Sequence, residues 1–396
     1  MALPTIVINF GAAIAPSSAI HFPPFSSSSG NIYVICLNTG SNATEVRAQK
    51  ATDPTSSFSE VDATNNPTVT GPPYIRGLCT TQVSDVLHIA WSVNDTSGGS
   101  IIYYSQFNMS SDTWVNLSGG SRAIAVKSGF SQTLGPKREL AIGVNSSGHI
   151  YIHGPGPAGM DMGSNYDRSY YYKSTDGGVT WSSGTLTDNS GTTSAQHYEA
   201  KACWCDANDR TYMFCGTSTT SWYSRALSSA DSLQSWPSAL GYTPTYQGYS
   251  YDDGGTERVR IGRDGGASEL AWDSADTPSI TANSTGTTFN SFNLVGDAST
   301  KTSYAFGLVS SDMYYRANVD DAGYDASNTD FLVDGATKNG PDANVVTRSG
   351  TTYLACVFYV STDYATNYCL WYMEIDVSGG GGADYYNPGS FFAFFG

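Results

Sequence analysis

Short runs of alternating or wholly apolar residues, broken by clusters of Gly, Ser, Asn and Asp, recur along the entire chain. Alternation with a period of two marks a half-buried strand, and the intervening clusters are turn formers. One stretch predicts strands at Tyr74–Thr80, Val86–Val93, Ser100–Phe107 and Thr113–Leu117. The next repeats that order at Arg138–Val144, His149–His153, Arg168–Lys173 and Val179–Ser183. Six such groups of four short strands fill residues 19–335. A further group, Asn344–Arg348, Thr352–Val360 and Asn367–Ile375, supplies only three strands, and the run Pro4–Phe10 is left over at the other end. Pairing that leftover strand with the last group would cover an edge that otherwise exposes unpaired backbone groups.

A motif punctuates the groups. Ser174-Thr175-Asp176-Gly177-Gly178-Val179-Thr180-Trp181 combines an acceptor (Asp176), a residue free to adopt positive φ (Gly178) and an aromatic (Trp181) that can pack beneath the turn. Asp231 leads to Trp236 and Asp53 to Phe58 at the same spacing, while Trp114, Phe289 and Phe331 mark degenerate copies. The Ser174–Trp181 segment resembles the Asp box, or BNR repeat, of sialidase-like propellers, in which the box is a structural turn. The resemblance implies a fold and transfers no activity. Together with the strand groups it predicts an all-β chain: a β-propeller of seven four-stranded blades closed by the N-terminal strand, with six or eight blades left open. Residues 1–378 form that single domain, and residues 379–396 are a Gly-rich hinge followed by an aromatic tail.

Composition narrows the partners. Of the 396 residues 40% are hydrophobic, enough for a large core, and only 14% are charged. The formal charge of −16 opposes a phosphate-binding surface, so nucleic acid is excluded as a partner. No apolar run is long enough for a membrane span. Residues 1–15 are apolar but lack a positive start and contain Pro4 and Asn9, which predicts a strand rather than a cleaved leader. The seven cysteines sit mostly in apolar strand-like runs and read as buried free thiols; Cys203, Cys205 and Cys215 are the one group near enough for a bridge. No metal and no cofactor is expected.

Candidate chemistry falls on two long loops and on the first strands. One loop is Gly154–Asp167, with Asp161 and Asp167; the other is Pro237–Thr256, with Tyr242, Tyr246, Tyr249, Tyr251, Asp252 and Asp253. Tyrosine-rich loops offer flat surface with a hydroxyl, suited to a glycan receptor or a protein. Charges begin several predicted first strands: Arg76, Arg138, and Glu257 with Arg258. Convergence of Arg76, Arg138 and Arg258 with Glu257 is what the sialidase resemblance implies for a catalytic centre, yet Pro72-Pro73-Tyr74-Ile75-Arg76 departs from that family's signature. The tail carries Phe391, Phe392, Phe394 and Phe395, an aggregation hazard unless docked. The sequence therefore points to a non-enzymatic recognition or structural propeller in a larger extracellular or virion assembly. It resembles phage virion proteins in composition, and its tail would contact other assembly proteins. The alternative is a sialidase-type glycoside hydrolase.

Overall fold

The computed structural model describes residues 4–9, 23–38, 43–55, 57–69, 74–94, 100–128, 140–155, 169–186, 199–218, 221–228, 230, 232–234, 244–263, 268–273, 281–285, 289–320, 322–332, 338–360 and 369–378. Among them the regular structure is β-strand, apart from one 3-10 turn at Ala63–Asn65. The strands form seven antiparallel sheets.

Six of the sheets follow one another along the chain. The first is Pro24–Ser26, Ile32–Leu37, Val46–Ala51 and Ser59–Val61; the second begins with Tyr74–Val83, Val86–Asn94 and Ser100–Asn108. The third is Ala141–Val144, Ile150–Pro155, Ser169–Ser174 and Ser182–Thr185, and the fourth is Glu199–Cys205, Thr211–Ser218, Ser221–Leu227 and Leu233–Gln234. The fifth is Pro244–Asp253, Thr256–Arg263, Ser268–Asp273 and Thr281–Ser284, and the sixth is Asn290–Asp297, Thr302–Val309, Asp312–Val319 and Thr329–Leu332. The seventh joins the two ends of the chain: Lys338–Arg348, Thr351–Val360 and Cys369–Asp376 are completed by Thr5–Asn9, with Thr5 opposite Tyr372 and Asn9 opposite Cys369.

In the second sheet the fourth-strand place is shared. Thr113–Trp114 pairs with one end of Ser100–Asn108 and Ile124–Lys127 with its middle, so the chain leaves the edge and returns to it. Phe289, expected as a closing aromatic of the fifth group, instead precedes the first strand of the sixth sheet and packs on Phe292 at 5.8 Å. It follows the fourth strand of the fifth sheet, Thr281–Ser284, rather than a third.

The core lies between adjacent sheets. Cys79, Ala90 and Tyr104 of the second sheet meet Ile142, Ile150 and Ile152 of the third, and Tyr304 and Phe306 of the sixth meet Leu354 and Phe358 of the seventh. Both faces of most strands are thus buried. This explains continuous apolar runs such as Ile32–Leu37, buried at every position. Turns between first and second strands brace neighbouring sheets. The Ser28 amide and hydroxyl donate to Asp85 at 2.7 and 2.5 Å, Ser146 donates twice to Asp209 at 2.8 and 3.0 Å, and Lys301 reaches Asp253 at 2.6 Å.

First strands lie side by side in series. Tyr74–Val83 neighbours Ala141–Val144, which neighbours Glu199–Cys205, and the series continues through Pro244–Asp253, Asn290–Asp297 and Lys338–Arg348 to Pro24–Ser26. Gln82 donates to the Ser26 carbonyl at 2.8 Å, linking the remaining two members of the series. Six of the seven cysteines, all but Cys215, are described as free thiols, five of them buried, so no bridge joins Cys203 to Cys205.

Candidate functional site

Where first strands converge they enclose a cavity of about 430 Å³, with walls drawn from six of the sheets. Phe25, Thr80, Gln82, Ile142, Trp204 and Asn344 contribute from different positions around it. Small residues make the convergence possible. At Gly248 a Cβ would stand 2.5 Å from the Trp204 ring, so only glycine admits the indole there. Phe214 and Tyr212 stack with that indole at 5.4 Å each, fixing it in the wall.

The polar wall groups are partly committed. Gln82 donates to the carbonyls of Ser26 and Ser84 at 2.8 and 2.7 Å, and Asn344 donates to the Pro24 carbonyl at 3.0 Å. The Thr80 hydroxyl and the Trp204 indole N–H have no hydrogen-bond partner among the described residues. Cys79 and Cys203 also line the cavity, and burial pushes both thiols well above their ordinary range, so they are neutral near pH 7. Among the described lining residues none is a carboxylate, guanidinium or ammonium. Such a wall can hold a neutral, hydrogen-bonding guest by shape and aromatic contact.

None of the sequence-predicted site residues is among the described lining of the cavity. Tyr246, Tyr249, Tyr251, Asp252 and Asp253 lie on the first strand Pro244–Asp253, not on a loop, which corrects the expected loop Pro237–Thr256. The physical reason is alternation: Tyr249 and Tyr251 face into the fold, Tyr249 sharing a 2.5 Å hydrogen bond with Ser303 and Tyr251 being buried. Glu257 and Arg258 fall on the second strand of that sheet, not on a first strand. Arg258 pairs with Asp253 at 3.3 Å, while Asp252 accepts the Gly255 amide at 2.8 Å, so both serve the adjoining turn. Glu257 is buried, and burial raises its carboxyl pKa. Arg76 lies on the first strand of the second sheet. Gly154 and Pro155, expected to open the first long loop, end a strand. Arg138, Asp161, Asp167, Asp231, Trp236, Tyr242, Phe391, Phe392, Phe394 and Phe395 lie outside the described residues.

The turn residues have defined partners. Asp53 accepts the Thr55 amide and hydroxyl at 3.0 and 2.7 Å, and Phe58 packs on Tyr372 of the seventh sheet at 5.4 Å. Asp176 accepts the Thr180 amide and hydroxyl at 2.9 and 2.6 Å, the Val179 amide at 3.1 Å and the Ser174 hydroxyl at 2.8 Å. The bonds from Thr180, then Ser174, hold its pKa down to about 2. Trp181 donates to the Gly178 carbonyl at 3.0 Å. Asp176 is exposed on a turn, whereas the cavity is walled by first strands.

A buried ionic cluster was not foreseen. Arg260 lies 3.5 Å from Glu269 and donates to the Tyr251 hydroxyl at 3.2 Å, and Tyr324 donates to Glu269 at 2.8 Å. Its only sequence signal is a charge flanked by Val259 and Ile261 inside an apolar run, which a solvent-facing position would produce equally well.

No protein-family model matches the sequence, and no curated protein matches it. Solved structures resemble it in fold. A polysaccharide lyase, Uly1, matches with a TM-score of 0.51 at 10% identity, over 92% of this chain and 91% of the lyase. Prolyl oligopeptidase B from Galerina marginata matches with a TM-score of 0.50 at 12% identity, over 91% of this chain and 51% of the oligopeptidase. This chain thus spans about half the length of that enzyme. An alpha-L-arabinanase from Penicillium chrysogenum aligns at 10% identity over 94% of this chain and 98% of its own, with a TM-score of 0.48. At such identities the likeness is one of β-propeller fold and not of activity.

Proposed function

We propose that this chain is one closed ring of seven blades that recognises saccharides at its axis without cleaving them, as a module of a larger assembly. Closure is supported by the series of adjacent first strands and by the pairing of Thr5–Asn9 with Cys369–Asp376. Saccharide recognition is supported by the wall chemistry, since hydroxyl, amide and indole groups are what a neutral polyol contacts. The polysaccharide lyase of similar fold acts on the same class of molecule.

One observation carries the choice of binding over turnover: the described residues that line the cavity include no carboxylate. Glycoside hydrolysis in most families needs two of them flanking the bond. The sialidase alternative also needs Arg258 to converge with Arg76 and Arg138, and Arg258 is tied to Asp253 at the turn end of a second strand. Within this proposal Phe391, Phe392, Phe394 and Phe395 dock the ring onto another protein of a virion-like or extracellular assembly, and Ser174–Trp181 is an Asp-box turn of purely structural role.

The test uses the full chain on a saccharide array, followed by incubation of each bound saccharide in solution. Binding without release of a smaller sugar is expected. Release of sialic acid or of a new reducing end would overturn the proposal in favour of the hydrolase.

A further inference from the structure

Glu257 takes a position that neither the cavity lining nor the turn chemistry explains. It stands opposite Asp252 on the hairpin of the fifth sheet and is only 1% exposed. Its carboxylate accepts the Ala207 amide and the Ser250 hydroxyl, while Oε2 has no partner among the described residues. Ala207 belongs to the turn between the first and second strands of the fourth sheet. A fifth-sheet carboxylate is therefore seated in a fourth-sheet turn. That turn is built on a carboxylate of its own: Asp206, also buried, accepts the Asn208 and Arg210 amides at 2.8 and 2.9 Å and the Tyr212 hydroxyl at 2.8 Å.

Such a seat disfavours an ionised group. Burial first, then the charges of Asp206 and Asp252, push the Glu257 carboxyl above its ordinary range, against the bonds from Ser250 and Ala207. The other titratable groups of the two turns are Cys205, Asp209, Arg210 and Tyr212 on the fourth sheet, and Asp253 and Arg258 on the fifth. Asp209 is bonded to Ser146, Tyr212 to Asp206, and Asp253 to Arg258 and Lys301. The same two first strands form the cavity wall one step away. Trp204 stands two residues before Asp206, Gly248 stands two before Ser250, and a Cβ on Gly248 would lie 2.5 Å from the indole. The Trp204 indole N–H, like Glu257 Oε2, has no partner among the described residues. Unsatisfied buried groups are costly, so a seam that carries a donor and an acceptor of this kind opens more readily than a fully bonded one.

We propose that Glu257 is a proton-operated latch that regulates the axial cavity. Protonated, it holds the fourth-sheet turn against the fifth sheet and fixes Trp204 in the wall; ionised, it releases both. This rests on the saccharide-recognition proposal and specifies how that site is controlled. Protonation removes the like-charge contact with Asp206 and Asp252 and the cost of a bare, buried carboxylate oxygen. The folded chain holds this proton more tightly than the unfolded chain, so the seam is strongest on the acid side and weakens as pH rises through the folded value. A wall fixed before the ligand arrives binds it more tightly, so affinity follows the same direction.

Hydrogen exchange of the full chain, followed by mass spectrometry from about pH 5 to 8 and corrected for the intrinsic pH dependence, reads the seam without any ligand. Peptides covering residues 203–209 should lose protection about tenfold as pH rises, and Glu257→Gln should keep the acid-side protection throughout. Asp252→Asn, which removes one of the like charges, should move the transition to lower pH. Wild-type protection that does not change with pH, or that changes equally in both variants, would overturn the latch. The wild-type profile needs no variant, so it decides the matter if a substitution prevents folding. Any saccharide retained on the array is then titrated at pH 5.5 and 7.5. Binding about tenfold tighter at pH 5.5 is expected, and equal binding would overturn control of the cavity. An array empty at both pH values would overturn saccharide recognition alone, because the exchange profile, which includes Trp204, still decides the latch.

Discussion

Tyr104 shows how one side chain couples two sheets. Its hydroxyl accepts from Gln106 at 2.6 Å and shares a 2.6 Å hydrogen bond with His88 Nδ1. The Tyr104 ring meets Trp181 edge-on at 5.2 Å, and Gln106 reaches the Gly177 carbonyl at 3.0 Å. The Ser174–Trp181 turn of the third sheet is thereby seated on the second. Gly178 is fixed by this twice: its φ is +95°, and a Cβ would come within 2.1 Å of the Tyr104 ring. Gly178→Ala should therefore cost about 2–4 kcal/mol in denaturant unfolding, whereas Gly177→Ala, at an open position, should cost less. Burial holds the His88 pKa at about 4, against 6.5 when unfolded. The unfolded chain then binds more protons between those values, so the stability His88 contributes is complete above pH 6.5 and is lost as pH falls towards 4. The loss should be about 3 kcal/mol. His88→Gln should flatten that part of the stability–pH curve, as followed by urea titration across pH 4–7.5. An unchanged slope would mean that other groups set it.

Among elements, the first strands carry the constraint. They must approach one another closely, and Gly248 against Trp204 is the tightest point on the cavity wall described above. Gly248→Ala should cost about 1–3 kcal/mol by overpacking, and Trp204→Phe in the same chain should recover part of it, measured as a double-mutant cycle. Additive costs would show that the indole moves aside freely. The segment Pro244–Asp253 also shows where sequence reasoning fails. Its tyrosines, glycine and polar residues carry turn-like composition, and only the neighbouring sheets reveal that both faces are covered. Strand positions in the second, third and seventh sheets were legible because their runs of Val, Ile, Leu and aromatics admit no other period. The register shift between Ile75 and Gly77 of the second sheet was not: a bulge is a mismatch between two strands, and neither strand contains it alone.

For the whole molecule, the decisive contact joins its two ends. Val7 is buried, and Thr5–Asn9 supplies the fourth strand of a sheet whose other strands lie far along the chain. Removing residues 1–9 exposes the edge of Cys369–Asp376 to water and, in a closed ring, loosens every sheet through its neighbours. A single unfolding transition displaced to lower temperature is the expected calorimetric result. A separate early transition, with the main one unmoved, would show that the seventh sheet melts alone.

What the sequence determined by itself is the kind of unit: short strands, tight turns with Asp or Ser acceptors, and a leftover strand at one end that the last group lacks. Those are local facts, set by side-chain period and turn chemistry within a few residues. The turn bonds of Asp53 and Asp176 are of this sort, since each acceptor meets donors within four positions of itself. Tertiary structure alone decided which charged residues meet. Arg258 turned to Asp253 on its own hairpin, and Arg260 found Glu269 on the next strand. Period fixes which face of a strand a residue takes, but the partner across that face belongs to another sheet. Its distance along the chain leaves no mark in the local pattern.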